Sequence, residues 1–171
     1  MKTIKKVFAV VALTLAAIPT MAQMNIGHCD SDSILVKMPE YQAAMTELEQ
    51  LSADLQSIID DERTAIENKQ QNLEANRGNW TQLRIAAAEQ GIQQDARDLQ
   101  QRVQEAQRTL ATQERERLTP ILNQLQEAIN QVGEANGYDY ILDSTPGRGV
   151  VLYRNPENDI SDLVLAHMGL Q

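Results

Sequence analysis

His28 and Cys29 are adjacent near the start of the chain, and an imidazole beside a thiol is what a metal site or a nucleophile–base pair would use. Their spacing argues against both. The stretch from Met24 to Cys29 reads as a strand, where neighbouring side chains point to opposite faces, so the two cannot readily share an ion. His167 stands alone near the end and reads as a solvated helix residue. Acidic groups cluster at Asp60-Asp61-Glu62 and in Glu114-Arg115-Glu116-Arg117. In helical surroundings these form solvated faces with weak i,i+4 pairs. "PGRG" at 146–149 lacks the length and the following helix of a phosphate loop. No nucleophile stands at a recognisable spacing from a base. The sequence predicts no catalytic residue, no metal and no cofactor, hence a protein that is not an enzyme. Trp80 is the residue to single out, as a large amphipathic aromatic far from both ends.

The chain opens with Lys2, Lys5 and Lys6 ahead of an apolar run from Val7 to Ile18, followed by Pro19-Thr20-Met21-Ala22. This is the pattern of a secretory leader, too short to span a bilayer, with cleavage expected after Ala22. Removing 22 of 171 residues leaves 149 and takes away three of the 15 Lys/Arg and no acid, so the mature formal charge is −12. Such a surface repels phosphate backbones and anionic lipid, which excludes nucleic acid as a main partner; no later segment suits stable membrane insertion. Phe8 leaves with the leader, and the remaining aromatics are Trp80, Tyr41, Tyr138, Tyr140 and Tyr153. So few large side chains imply that much of the chain stays outside a globular core. The single cysteine, Cys29, rules out an internal disulfide framework and reads as a buried free thiol, with an intermolecular disulfide as the alternative.

Three zones follow. Met24–Cys29 is a strand candidate, and Asp30 or Ser31 caps a short helix through Met38. Residues 40–136 are overwhelmingly helical in composition. On the return half Ile92, Ala96, Leu99, Val103, Ala106 and Leu110 alternate steps of four and three, the seam of a coiled coil. On the outbound half Ile59, Ile66, Leu73 and Trp80 recur every seven residues, but the second seam row is polar between Leu55 and Trp80. Facing layers of an antiparallel hairpin have a constant residue-number sum. Leu73 with Ile85, Ile66 with Ile92, Ile59 with Leu99, Leu55 with Val103 and Leu48 with Leu110 all sum to 158, centring the turn on residue 79. Gly78 is expected to end one helix, and Asn79 with Gln82 to cap the next. A turn near Gly91 is the rival; it would leave Ile85 unpaired and put a good helical stretch into a loop. Pro120 marks an expected bend over 116–120, after which apolar density rises at Leu118, Ile121, Leu122, Leu125, Ile129 and Val132.

From Gly137 two strands are expected. "YDYILD" places Tyr138, Tyr140 and Leu142 on one face, and "GVVLYR" supplies Val151 and Tyr153, with a Pro-Gly turn between. A terminal helix opens at Asp159, with Ile160, Leu163, Val164 and Met168 on its apolar face. Two or three short strands are too few for a stable sheet, so oligomerisation that pools strands is the economical solution.

Taken together, "NIGHCDSDSILVKMPEY", "LTPILNQLQEAINQVGEANGYDYILDST" and "VVLYRNPENDISDLVLAHMG" resemble the Skp/OmpH family of periplasmic chaperones across the mature chain. The resemblance implies a mostly α fold with a small β body (α+β), assembled as a jellyfish-like homotrimer whose arms enclose a cavity. It implies a periplasmic, ATP-independent holdase that keeps unfolded outer-membrane proteins from aggregating. Best-known members are basic with lysine-rich arms, whereas this chain is acidic.

The expected organisation is a leader at 1–22, an oligomerisation body from 23–39 and 118–171, and a hairpin arm at 40–117 with its tip near 77–82. Ile26, Tyr138, Tyr140, Leu142, Val151 and Tyr153 are the body residues expected to associate. Ile59, Ile66, Leu73, Trp80, Ile85 and Ile92 are the candidate client contacts, if pairing leaves them partly open; plain coiled-coil packing is the alternative for each. A structural coiled coil that spaces or tethers envelope components is the alternative function. With one seam row polar, several Leu-sized contacts of about 1.5–3 kcal/mol each are missing toward the tip. Amide exchange should therefore be faster in the distal arm than at its base, and uniform protection along the arm would contradict this reading.

Overall fold

The computed structural model describes residues 24–148 and 151–170. The expected leader, and Gly149 and Val150 of the second strand candidate, lie outside them. The element order is β1 (Ile26–Cys29), α1 (Ser31–Leu35), α2 (Pro39–Asn76), α3 (Gln82–Asn136), β2 (Tyr140–Asp143), a 3-10 turn (Pro156–Asn158) and α4 (Ser161–His167). Strands β1 and β2 pair in parallel, with Ile26 opposite Tyr140 and Cys29 opposite Asp143. The molecule is thus mostly helical with a small two-stranded sheet. No helix among the described residues is long and apolar enough to cross a membrane.

Local chemistry sets the boundaries. Asp30 caps α1, its carboxylate accepting from the Ser33 N–H at 3.1 Å. The helix stops at Leu35, before Met38, because Pro39 ahead favours extended backbone at Met38 and then opens α2 at its first position. Between α2 and α3 the cap differs from the sequence expectation. Thr81, rather than Asn79, accepts from the Arg84 N–H, and Gly78 does not adopt a left-handed conformation. The left-handed position is instead Gly137, at φ 67°, where α3 ends with Tyr138 N–H donating to the Gly133 carbonyl at 3.0 Å.

Helix α3 runs unbroken through Gly91 and through Pro120, where a bend was expected. Pro120 is exposed, so water can satisfy the Glu116 carbonyl that loses its donor. Glutamine–acid pairs such as Gln50–Asp54 and Gln101–Glu105 support the exposed helix faces without cations.

The core gathers around the end of α3. Ile121, Leu125, Ala128 and Val132 pack with Ile34, Leu35 and Met38 beside α1, with Ile160, Val164 and Leu165 of the α4 region, and with Cys29. Leu163, expected on the buried face, is 46% exposed; Leu165 takes its place. Residues 151–154 form no strand. The other edge of β1 is met by a single bridge from His28 to Asp159, with Ile160 N–H donating to the His28 carbonyl at 2.8 Å.

Gly137→Ala should lower the urea midpoint, at a cost of about 1–2 kcal/mol for a left-handed alanine. Gly78→Ala, with open space at its Cβ position, should be neutral or stabilise by up to about 1 kcal/mol.

Candidate functional site

At the corner where β1 enters α1, three aspartates, two hydroxyl residues and an arginine converge. Asp143 accepts from Ser31 Oγ at 2.9 Å, from Thr145 Oγ1 at 2.7 Å and from the Thr145 N–H at 3.0 Å, and Arg148 lies 2.8 Å away. Partial burial pulls the Asp143 pKa upward, but these hydrogen bonds and Arg148 outweigh it and hold the carboxyl below its ordinary value. Asp159 follows the same logic: burial opposes, while the Ser161 hydroxyl and amide, His28 and Arg154 prevail and lower it.

His28 Nε2 donates to the Asn155 carbonyl at 2.9 Å, and its Nδ1 shares a hydrogen bond with Ser144 Oγ at 3.1 Å. This serine–imidazole pair has the reach of a nucleophile and base. Ser144 and His28 are only 7% and 6% exposed, however, and neither lines the larger cavities. The pair ties β1 to the segments after β2. Cys29 is buried; desolvation first, then Asp143, Asp159 and Asp30, push its thiol up to about 11, so the free thiol stays protonated at neutral pH. Among the described residues no cluster could hold a metal ion. His167 Nε2 donates one exposed hydrogen bond, to Gln131 Oε1.

Several residues of the body are exposed: Ile26 is 40% exposed, Tyr140 58%, Leu142 41% and, outside the sheet, Tyr153 85%. Tyr138 turns inward against the core, as does Ile141, and Val151 is half-buried. Tyr140 and Leu142 thus face outward while Ile141 between them packs inward, as alternation along β2 requires.

Helices α2 and α3 lie side by side, crossed by the ion pairs Lys69–Asp95 and Glu62–Arg102, both at 2.6 Å, Arg77–Glu89 at 2.7 Å, and Glu47–Arg117. The first two each stand three residues beyond an expected apolar layer on both helices. Ile59, Leu73 and Ile85 are buried between the helices, whereas Ile66, Trp80 and Ile92 are half-buried. Packing between the helices opens into cavities along the pair, one of about 480 Å³ near the base beside Met45, Leu48 and Leu110 and others where the second seam row is polar. Ile66 lines one of about 270 Å³, and Trp80 and Ile92 line another of about 500 Å³ close to the turn. Arg84 stacks on Trp80 with its guanidinium carbon 4.1 Å from the ring centroid.

This sequence matches the profile of the family described as outer membrane protein (OmpH-like) over residues 25–168. The chain belongs to the OmpH-like family. A solved structure of a candidate OmpH-like outer membrane chaperone from Caulobacter crescentus CB15 aligns with a TM-score of 0.70 and 24% identity, covering 85% of this chain and 83% of that one. At that identity the likeness speaks for a shared fold. No curated protein matches the sequence.

In this OmpH-like chain the sequence reasoning passed over Asn68, Asn72 and Arg84, which line the cavity with Trp80. The step of four through Trp80, Arg84, Ala88 and Ile92 was the available signal. It also missed the Asp143–Thr145 turn, for which Asp-Ser-Thr was the available cue.

Because Asp143 and Asp159 have lowered folded-state pKa values, their contribution to stability is full above the ordinary carboxylate value of about 3.9. It is lost as pH falls through the lowered values. The urea midpoint should hold from pH 7 to 5 and fall below about pH 4. The double variant Asp143→Asn/Asp159→Asn should start lower at pH 7 and show a shallower acid decline.

Proposed function

We propose that this OmpH-like chain is an ATP-independent periplasmic holdase chaperone that keeps unfolded outer-membrane proteins from aggregating. The observation that carries this reading is the long pair of helices whose mutual seam is incompletely filled. Ile66, Trp80 and Ile92 remain half-buried along cavities between or beside the helices. Such a surface offers many weak apolar contacts, enough to hold an unfolded chain without imposing a fold on it. Ile59, Leu73 and Ile85, buried in the resting hairpin, join the contact set when the coiled-coil arm opens locally.

Under this reading residues 1–22 are a cleaved leader directing export, 40–117 form the arm, and 23–39 with 118–171 form the body. Three copies associate through the body, covering Ile26, Tyr140, Leu142, Val151 and Tyr153, with Tyr138 behind them. Covering each large side chain contributes about 1.5–3 kcal/mol, and pooling the strands completes a sheet that one copy leaves at two. The arms then enclose a cavity. Membership of the family, and the fold shared with a candidate outer membrane chaperone, support the reading.

Sedimentation of the mature protein should give a three-chain species, and Tyr140→Asp/Leu142→Asp should shift it to a smaller one. The wild-type trimer should keep a urea-denatured β-barrel protein soluble on dilution at a one-to-one ratio, and the double variant should not. A stable monomer would remove the enclosed cavity. A stable trimer that lets the barrel protein aggregate would leave a structural spacer or tether of envelope components as the better reading.

A further inference from the structure

The groove beside the turn is more than an apolar gap. Along one wall, α2 presents the side-chain amides of Asn68 and Asn72, both exposed. The Asn68 side chain makes no hydrogen bond among the described residues, and that of Asn72 accepts one from Asn76 through Oδ1, leaving its NH₂ group open. Along the other wall stand Trp80, in the turn ahead of α3, and Arg84, Ala88 and Ile92 of α3 at four-residue intervals. Residues four apart on a helix rise about 6.0 Å. Backbone groups on one side of an extended chain recur about every 6.6–6.8 Å. The two amides are therefore spaced to address successive same-side peptide groups of an extended segment. The opposite wall offers a matching series of seats for its alternate side chains.

Charge narrows the occupant. Among the lining groups Lys69 and Asp95 neutralise each other at 2.6 Å. Arg84 has no carboxylate partner among the described residues and lies over Trp80. The groove is thus locally cationic in a chain of formal charge −9. We propose that this groove binds an extended, unfolded polypeptide segment that carries an aromatic residue beside an acidic one. Asn68 and Asn72 hydrogen-bond the segment's backbone, its aromatic ring rests against Trp80 and Ile92, and its carboxylate meets Arg84. The proposal rests on the holdase reading and gives it a defined contact and a sequence preference.

The test uses the full mature protein and an acetylated, amidated nine-residue peptide alternating tyrosine with glutamate and threonine. A control replaces each glutamate with lysine. Binding is read by anisotropy of a fluorophore on the peptide and by the emission of Trp80, the chain's only tryptophan. The acidic peptide should bind at least tenfold more tightly than the basic one and shift Trp80 emission. Asn68→Ala/Asn72→Ala, at exposed helix positions where alanine does not impair folding, should weaken it about tenfold. Arg84→Gln should abolish the preference for acid while leaving residual binding. Equal affinity for both peptides, an unmoved Trp80 signal, or unchanged binding by the asparagine double variant would each overturn the proposal. Suppression of barrel-protein aggregation is measured in parallel. Suppression without peptide binding sinks the groove alone, whereas peptide binding without suppression sinks the holdase reading and leaves the groove standing.

Discussion

Parallel pairing of β1 with β2 governs the plan of the molecule. Antiparallel strands can be joined by a tight turn, but parallel strands need a crossover that returns the chain to the end where the first strand began. Here the crossover is everything from Asp30 to Asp139. Helix α2 departs from the far end of β1, while β2 must start opposite Ile26. The return helix therefore has to travel farther than the outgoing one. It does: α3 has 55 residues against 38 in α2, and the surplus of 17 is worth about 26 Å. That surplus builds the core, for Ile121, Leu125, Ala128 and Val132 all lie toward the end of α3. Since closure entropy grows only with the logarithm of loop length, an excursion this long costs little more than a shorter one.

The same pairing explains why the polar corner at Ser31, Asp143 and Thr145 is so densely bonded. With only four residues in each strand, the ladder alone is a weak clamp. Side-chain bonds across more than a hundred residues of sequence reinforce it, from Ser31 to Asp143 and from His28 to Ser144. Buried hydrogen bonds of this kind cost more to break than they contribute when made, because a partner left behind is desolvated and unpaired.

Much of this was legible in the residues. Asp30 and Pro39 announce helix starts through fixed local chemistry, and Tyr138–Asp143 announces a strand through alternation and β-branched content. Which face of that strand turns inward was not legible, since Tyr140 and Leu142 look as apolar as Ile141; only the position of α3 decides. Val151–Arg154 carries strand-forming residues but has no strand partner among the described residues, because pairing is a tertiary matter. Pro120 suggested a bend because proline removes a donor; the helix continues through it, and its exposed face lets solvent satisfy the carbonyl left free. At the groove, Trp80 was visible as a lone aromatic. Asn68 and Asn72 were not, because their meaning depends on which side of α2 faces α3.

Helix α3 is continuous from the turn at one end to its seat in the core at the other. In mechanical terms it is a lever with its fulcrum near Leu118. From there to Gln82 it extends about 54 Å. A rotation of about 5° at the seat sweeps the far end through roughly 5 Å, comparable to one helical turn. Strain too slight to disturb the packing around Val164 thus becomes a displacement at Trp80 large enough to open or narrow a groove. The body's packing and the far end's reach are two aspects of a single helix.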